Sequence, residues 1–257
     1  MRQSPPRDRL RLMVDGAEWL LLVAAGFGAG AINSVAGGGS LLSFPALLAV
    51  GYPAVTANVT NLIAVLPGYL GGSFAYRDEL RGQRGRARQL GALSAVGAAA
   101  GSALLLAGPD DVFASLAPWL ILGACAALAA RPLVRVRTGR PRPMWVLFAL
   151  VAAGAVYGGY FGAGLGIMLL AILGAFLPDD LHRINALKGL LSLVVALVSA
   201  VVVAVFGPVA WGPAGAMAAA SLVGGHLGVG LARRLPEPVL RWSIVVYGVG
   251  VAIALLA

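Results

Sequence analysis

Residues 30–45 run GAINSVAGGGSLLSFP: an apolar segment reaches Asn33 and Ser34, breaks at Gly37, Gly38 and Gly39, and resumes at Ser40. Both flanks are apolar, over residues 19–35 before the break and 41–50 after it. The second flank is too short to cross a hydrocarbon core of about 30 Å. It therefore reads as a half-helix or re-entrant piece, because broken backbone at membrane depth survives only where protein or a watered cavity answers its polar groups.

The same pattern returns in the second half. Residues 144–161 lead to a second glycine run at Gly162, Gly164 and Gly166, residues 167–177 form another short apolar piece, and Pro178 ends it. Gly37, Gly38 and Gly39 align with Gly162, Ala163 and Gly164, and Pro53 falls opposite Pro178 without a gap. With two extra residues, Asp179 and Asp180, Asn58 pairs with Asn185 and Asn61 with Lys188. Gly97 and Gly101 recur as Gly224 and Gly228, a small-xxx-small spacing that lets helices approach closely. Duplicated halves with interrupted helices at matching positions point to a transporter and to its binding site.

Composition places the chain in a bilayer. Hydrophobic residues make up 60% and charged residues 11% of the chain, against roughly 25% charged in soluble domains. The mean hydropathy is +0.89. The net charge of +9 is not gathered into a nucleic-acid patch. Basic residues flank apolar segments at the N-terminus and near 77–88, 131–142 and 233–241, as the positive-inside rule requires of cytoplasmic loops. The lone cysteine, Cys125, excludes an intramolecular disulfide and a cysteine metal cluster. Arg7, Arg9 and Arg11 followed by an apolar run fit a signal peptide. The counterpart of that region later in the chain favours a retained first helix.

The expected fold is all-α: a polytopic bundle of two related, inverted repeats with about eight spans plus broken half-helices. Residues 1–16 form a basic tail, 17–131 the first repeat, 132–143 a cytoplasmic linker and 144–257 the second repeat. An inverted repeat places the N-terminus outside, whereas the arginines of the tail favour the inside; the repeat is the reading taken here.

The glycine stretch with Phe44 and Pro45, the Asn58-Val59-Thr60-Asn61 turn, the second glycine run and Asn185-x-x-Lys188 together resemble the sulfite exporter (TauE/SafE) family of membrane permeases, over residues 17–257. The resemblance implies a carrier in a bacterial inner membrane for small anions such as sulfite, sulfonates or related organic acids.

An anion crossing a membrane exchanges its water shell for donors, which backbone N–H groups at a half-helix N-terminus supply. Gly37, Gly38, Gly39 and Ser40, with Gly162 and Gly164, are the first candidates for substrate binding. Asn58, Thr60 and Asn61 hydrogen-bond substrate oxygens, satisfy a neighbouring broken helix, or do both; Asn33, Ser34 and Asn185 are further substrate-binding candidates. Lys188, the chain's only lysine, offers a charge to a bound anion; the alternative is snorkelling beside Arg183. His226 is a candidate proton relay for a coupling proton, and otherwise a packing residue. No cofactor or metal is expected, since two histidines and scattered carboxylates lack a ligand spacing. Asp179, Asp180 and His182 read as loop or helix cap. Lipid and a small anion are the expected partners, nucleic acid is not, and the oligomeric state stays open. The alternatives are an anion channel or a membrane-embedded assembly subunit. A serine hydrolase using Ser34 or Ser40 is disfavoured, because the chain has no G-x-S-x-G elbow.

Overall fold

The computed structural model describes residues 15–35, 38–75, 79–130, 143–232 and 237–256; within these, only the backbone is described at 34, 35, 71–75, 181, 228–232, 237 and 240. Every regular element among them is an α-helix: α1 (Gly16–Val35), α2 (Ser40–Ala49), α3 (Ala54–Ala64), α4 (Leu66–Ala75), α5 (Arg84–Ala107), α6 (Asp110–Ala129), α7 (Met144–Tyr160), α8 (Leu165–Phe176), α9 (Leu181–Phe206), α10 (Trp211–Ala232) and α11 (Glu237–Leu256). Four apolar stretches are long enough to cross a membrane: Gly16–Asn33, Arg84–Ala107, Asp110–Ala129 and His182–Phe206.

Two helical hairpins organise the bundle. In the first, α2 doubles back along α1, so that a Cβ on Gly28 would lie 2.6 Å from Leu42 Cδ2 and one on Gly39 would overlap the carbonyl of Ala29. In the second, α8 doubles back along α7, with Gly154 facing Met168 and Gly158 facing Leu165. Each hairpin lies against a helix of the other half. Along α1 and α10, Trp19 meets Gly212, Gly26 meets Met217 and Gly30 meets Ser221, so these two helices run in the same direction. Along α5 and α7, Gly97 meets Ala155, and Gly101 meets Val156 and Tyr160, again in the same direction. The glycines permit this by leaving no Cβ between the backbones. Between the hairpins, the Phe44 ring of α2 stands edge-on to Phe161 at the turn after α7, with centroids 5.3 Å apart.

Two sequence expectations are corrected. The apolar run over residues 55–76 reads in the sequence as one span, but the helix breaks at Val65 into α3 and α4. Pro67 lacks an N–H and its ring crowds the carbonyl four residues back, so the regular ladder cannot pass through it. Gly68 N–H instead closes a tight turn on Val65 O at 3.1 Å. The second correction concerns the basic loop ending at residue 88: α5 already starts at Arg84. Its Arg86 pairs with Asp179 in the α8–α9 connection, and Arg183 Nε lies 3.6 Å from the same carboxylate. Gln83 Nε2 donates to Glu79 O at 3.0 Å and Arg183 O at 3.2 Å, tying the start of α5 to the start of α9. Asp180 caps α9 by accepting from Arg183 N–H at 3.0 Å. The linker 131–142 lies outside the described residues.

Candidate functional site

The two hairpin tips approach each other at the middle of the bundle. A Cβ on Gly38 would lie 3.6 Å from Ile167 Cδ1 of α8. Beside this junction is a small cavity with room for about one water. Ser40 reaches it from α2, and Gly158, Gly162 and Leu165 from the second hairpin. Val65 and Tyr69 face it from the α3–α4 break, and Ser192, Val195 and Ala196 from α9. Its wall is apolar apart from three hydroxyls. Ser192 is fully buried, and its Oγ has no partner among the described residues.

Each sequence candidate has a definite place. Asn33, buried at the end of α1, accepts the N–H groups of Gly38 at 3.1 Å and Gly39 at 2.8 Å through Oδ1. Those amides are therefore closed by a side chain of the same hairpin. Asn58, Thr60 and Asn61 are all fully buried on α3, and each reaches a different element. Asn58 Nδ2 donates to Tyr160 O of α7 at 2.9 Å. Thr60 Oγ1 accepts the N–H of Ala210, just before α10, at 3.0 Å. Ser43 Oγ of α2 donates to Asn61 Oδ1. Asn58 and Thr60 thus answer backbone groups at neighbouring helix ends, and Asn61 takes a side-chain hydroxyl. One turn of α3 thereby bolts together α2, the end of α7 and the start of α10. An unanswered buried polar group costs about 1–3 kcal/mol, so each bond carries a matching penalty for its loss.

Ser40 and Gly162 line the cavity directly, whereas Gly164 caps α8 with φ 77° and faces Ala124 of α6. Asn185 is half-buried in the first turns of α9. Lys188 is 6% exposed and lies one turn before Ser192, on the same face of α9. The snorkelling alternative fits this burial poorly. His226 is exposed on α10 beside Leu227 and is not among the cavity residues. Gly37 lies outside the described residues, as does the side chain of Ser34. Among the described residues, no three metal-binding side chains gather.

Sequence reasoning overlooked Ser192, Tyr69 and Gly158. The signals were present but faint: a serine four residues after the only lysine, a tyrosine behind Pro67 and Gly68, and a glycine four residues before the second run.

The tip carbonyls of the second hairpin are also answered. Ser102 Oγ donates to Gly159 O at 3.1 Å and the Tyr157 hydroxyl to Ala163 O at 2.7 Å. With Asn58 on Tyr160 O, side-chain donors occupy three acceptors around this turn. The N–H groups of Ala163 and Gly164 find no acceptor among the described residues.

Comparison with known proteins finds a family match over most of the chain. The family model described as sulfite exporter TauE/SafE matches residues 22–255. A probable membrane transporter protein of Haemophilus influenzae is 26% identical over 231 residues, covering 88% of this chain and 89% of that one. A probable membrane transporter protein, ORF9, of a Sinorhizobium species is 27% identical, with 92% and 91% covered. The probable membrane transporter protein YfcA of Escherichia coli K12 is 27% identical, with 85% and 82% covered. No solved structure matches the chain.

Proposed function

Because the chain belongs to the sulfite exporter TauE/SafE family, and is thus a multi-pass membrane protein of a transporter family, we propose that it moves a small anion through the cavity between its hairpin tips by alternating access. The cargo class is sulfite, a sulfonate or a related organic acid, and the membrane is a bacterial inner membrane. The observation that carries this reading is the fully buried Ser192 hydroxyl, without a partner among the described residues, in a cavity reached by both hairpins. A buried donor without an acceptor is costly unless a ligand answers it.

The halves are read as inverted repeats, with α1 beside α10 mirrored by α7 beside α5. Since α1 and α10 run in the same direction, this reading puts the start of α1 outside, on the side of Gly207, and the basic start of α5 inside. Exchange of hairpins between the halves supplies a rocking element that opens the cavity to one face at a time. Lys188, buried one turn from Ser192, lends positive charge to the occupied site.

Counterflow in proteoliposomes tests the carrier. Preloading with sulfite, methanesulfonate or acetate should accelerate entry of the same labelled anion. Flux that proceeds without trans-stimulation would make the protein a channel, and no flux of any of the three would remove the proposal.

A further inference from the structure

The cavity has room for about one water, and even sulfite, a sulfur with its oxygens, is larger than that. A wall must therefore withdraw before any of the anions can enter. Most of the walls are fastened. Ser40 follows a tip that Asn33 closes through Gly38 and Gly39. Gly158 and Gly162 flank a turn whose carbonyls are held by Ser102, Asn58 and Tyr157. Val195 of α9 packs directly on that hairpin, since a Cβ on Gly158 would lie 2.8 Å from Val195 Cγ1. Leu62 belongs to α3, which Asn58, Thr60 and Asn61 bolt in place.

The remaining wall is Val65 and Tyr69, on either side of the α3–α4 break. Val65 N–H still bonds Asn61 O at 3.0 Å and so ends with α3, whereas α4 follows through one tight turn around Pro67, which has no N–H to continue the ladder. Beyond that turn α4 lies on the α1–α10 pair. A Cβ on Gly68 would stand 2.8 Å from Ser221 Oγ and 3.0 Å from Gly30 Cα. The break is thus a joint between a helix bolted to the hairpin tips and a helix seated on α1 and α10. Tyr69 follows the joint directly and is the largest side chain on the cavity wall. It is half-buried, and its hydroxyl makes no hydrogen bond among the described residues, so the ring can leave without breaking one.

We infer that Tyr69 sets the size of anion the protein accepts: its ring takes the space needed by the anion's tail, and α4, turning at the Val65–Gly68 joint, carries it aside. This rests on the reading of the cavity as the transport site. A hinge needs only a few residues at the end of an element to absorb such a turn. The other walls stay in place, so the room gained is limited to what Tyr69 vacates. The cargo is therefore an anion with at most a short tail, and a ring-bearing sulfonate meets Tyr69.

The test uses the full-length protein in proteoliposomes and whichever labelled anion the wild type transports, sulfite, methanesulfonate or acetate. Unlabelled methanesulfonate and benzenesulfonate then compete with it. The wild type should favour methanesulfonate by at least about tenfold, the discrimination of a pocket too small for the added group. Tyr69→Ala should narrow that preference to within about threefold, whereas Tyr69→Phe, which keeps the ring, should preserve it. If Tyr69→Ala does not fold, Tyr69→Leu decides in its place and should narrow the preference by at least about threefold. Pro67→Ala, which returns an N–H to the helix ladder, should lower the maximal rate by at least about threefold and leave the preference as it was. A wild type with no preference, a preference that Tyr69→Ala or its substitute leaves unchanged, or one that Tyr69→Phe erases overturns the inference. A Pro67→Ala rate equal to wild type overturns the joint. In all of these cases persisting counterflow leaves the carrier reading standing. Wild-type protein that transports none of the three anions defeats the carrier reading itself, and this inference with it.

Discussion

The α1–α2 and α7–α8 hairpins have the same plan, two helices joined at a glycine turn, yet their turns are held in opposite ways. The first is closed from within: Asn33 takes the amides of Gly38 and Gly39, and Gly39 packs onto the carbonyl of Ala29. The second is held from without: Asn58 of α3 and Ser102 of α5 grip its carbonyls, with Tyr157 of α7 bonding across the turn. The comparison teaches that two glycine turns of one plan can be held by different partners, a side chain of the same hairpin at one copy and side chains of other helices at the other.

The difference can be broken most severely at Gly39. Gly39→Ala should abolish folded protein in the membrane, because a Cβ there overlaps backbone that cannot move. Gly164→Ala, its counterpart, meets Ala124 Cβ at 3.2 Å and has φ 77°, so it should cost about 1–2 kcal/mol and leave a folded protein with a lower melting temperature. Equal losses in the two would show that the tips are held alike. Next in size, Asn33→Ala strands two buried amides at about 1–3 kcal/mol each, whereas Asn58→Ala strands the single carbonyl of Tyr160. Thermal melts in detergent should rank Asn33→Ala below Asn58→Ala.

Lys188→Ala should insert normally but lose most anion flux in counterflow, and unchanged flux would take Lys188 out of the site. Arg86→Ala removes a half-exposed ion pair to Asp179 at the base of the second hairpin. It should cost about 0.2–1 kcal/mol, less in high salt, without altering substrate affinity. The smallest effect belongs to His226→Ala, which should shift stability by no more than about 0.5 kcal/mol and leave the pH profile of transport unchanged. A displaced profile would restore His226 as a proton relay.

Much of this architecture was legible as pattern. Charge depletion and the length of the apolar runs set the helices of the bundle, and the glycine runs marked both hairpin turns. Pro67 and Gly68 also announced the α3–α4 break, but a continuous apolar run masked it. The site was less readable. Asn33, Asn58, Thr60 and Asn61 stood out because amides and hydroxyls are conspicuous in an apolar span. The residue type alone cannot tell a substrate ligand from a bolt. Thr60 reaches Ala210 across 150 residues and Asn58 reaches Tyr160 across 102, distances over which no local rule operates. Gly158 and Ser192 carried only faint signals, since their place beside the cavity depends on what stands opposite them.

The sequence by itself determined that this chain lives in lipid as a bundle of helices, two of them ending at glycine turns. That follows from local chemistry: apolar length, the cost of charge in hydrocarbon and the need of each backbone group for a partner within its own segment. Only the tertiary structure decided which turn is sealed and which is open. A hydrogen-bond donor is spent or free according to its neighbours in space, and those neighbours come from helices far apart in the chain.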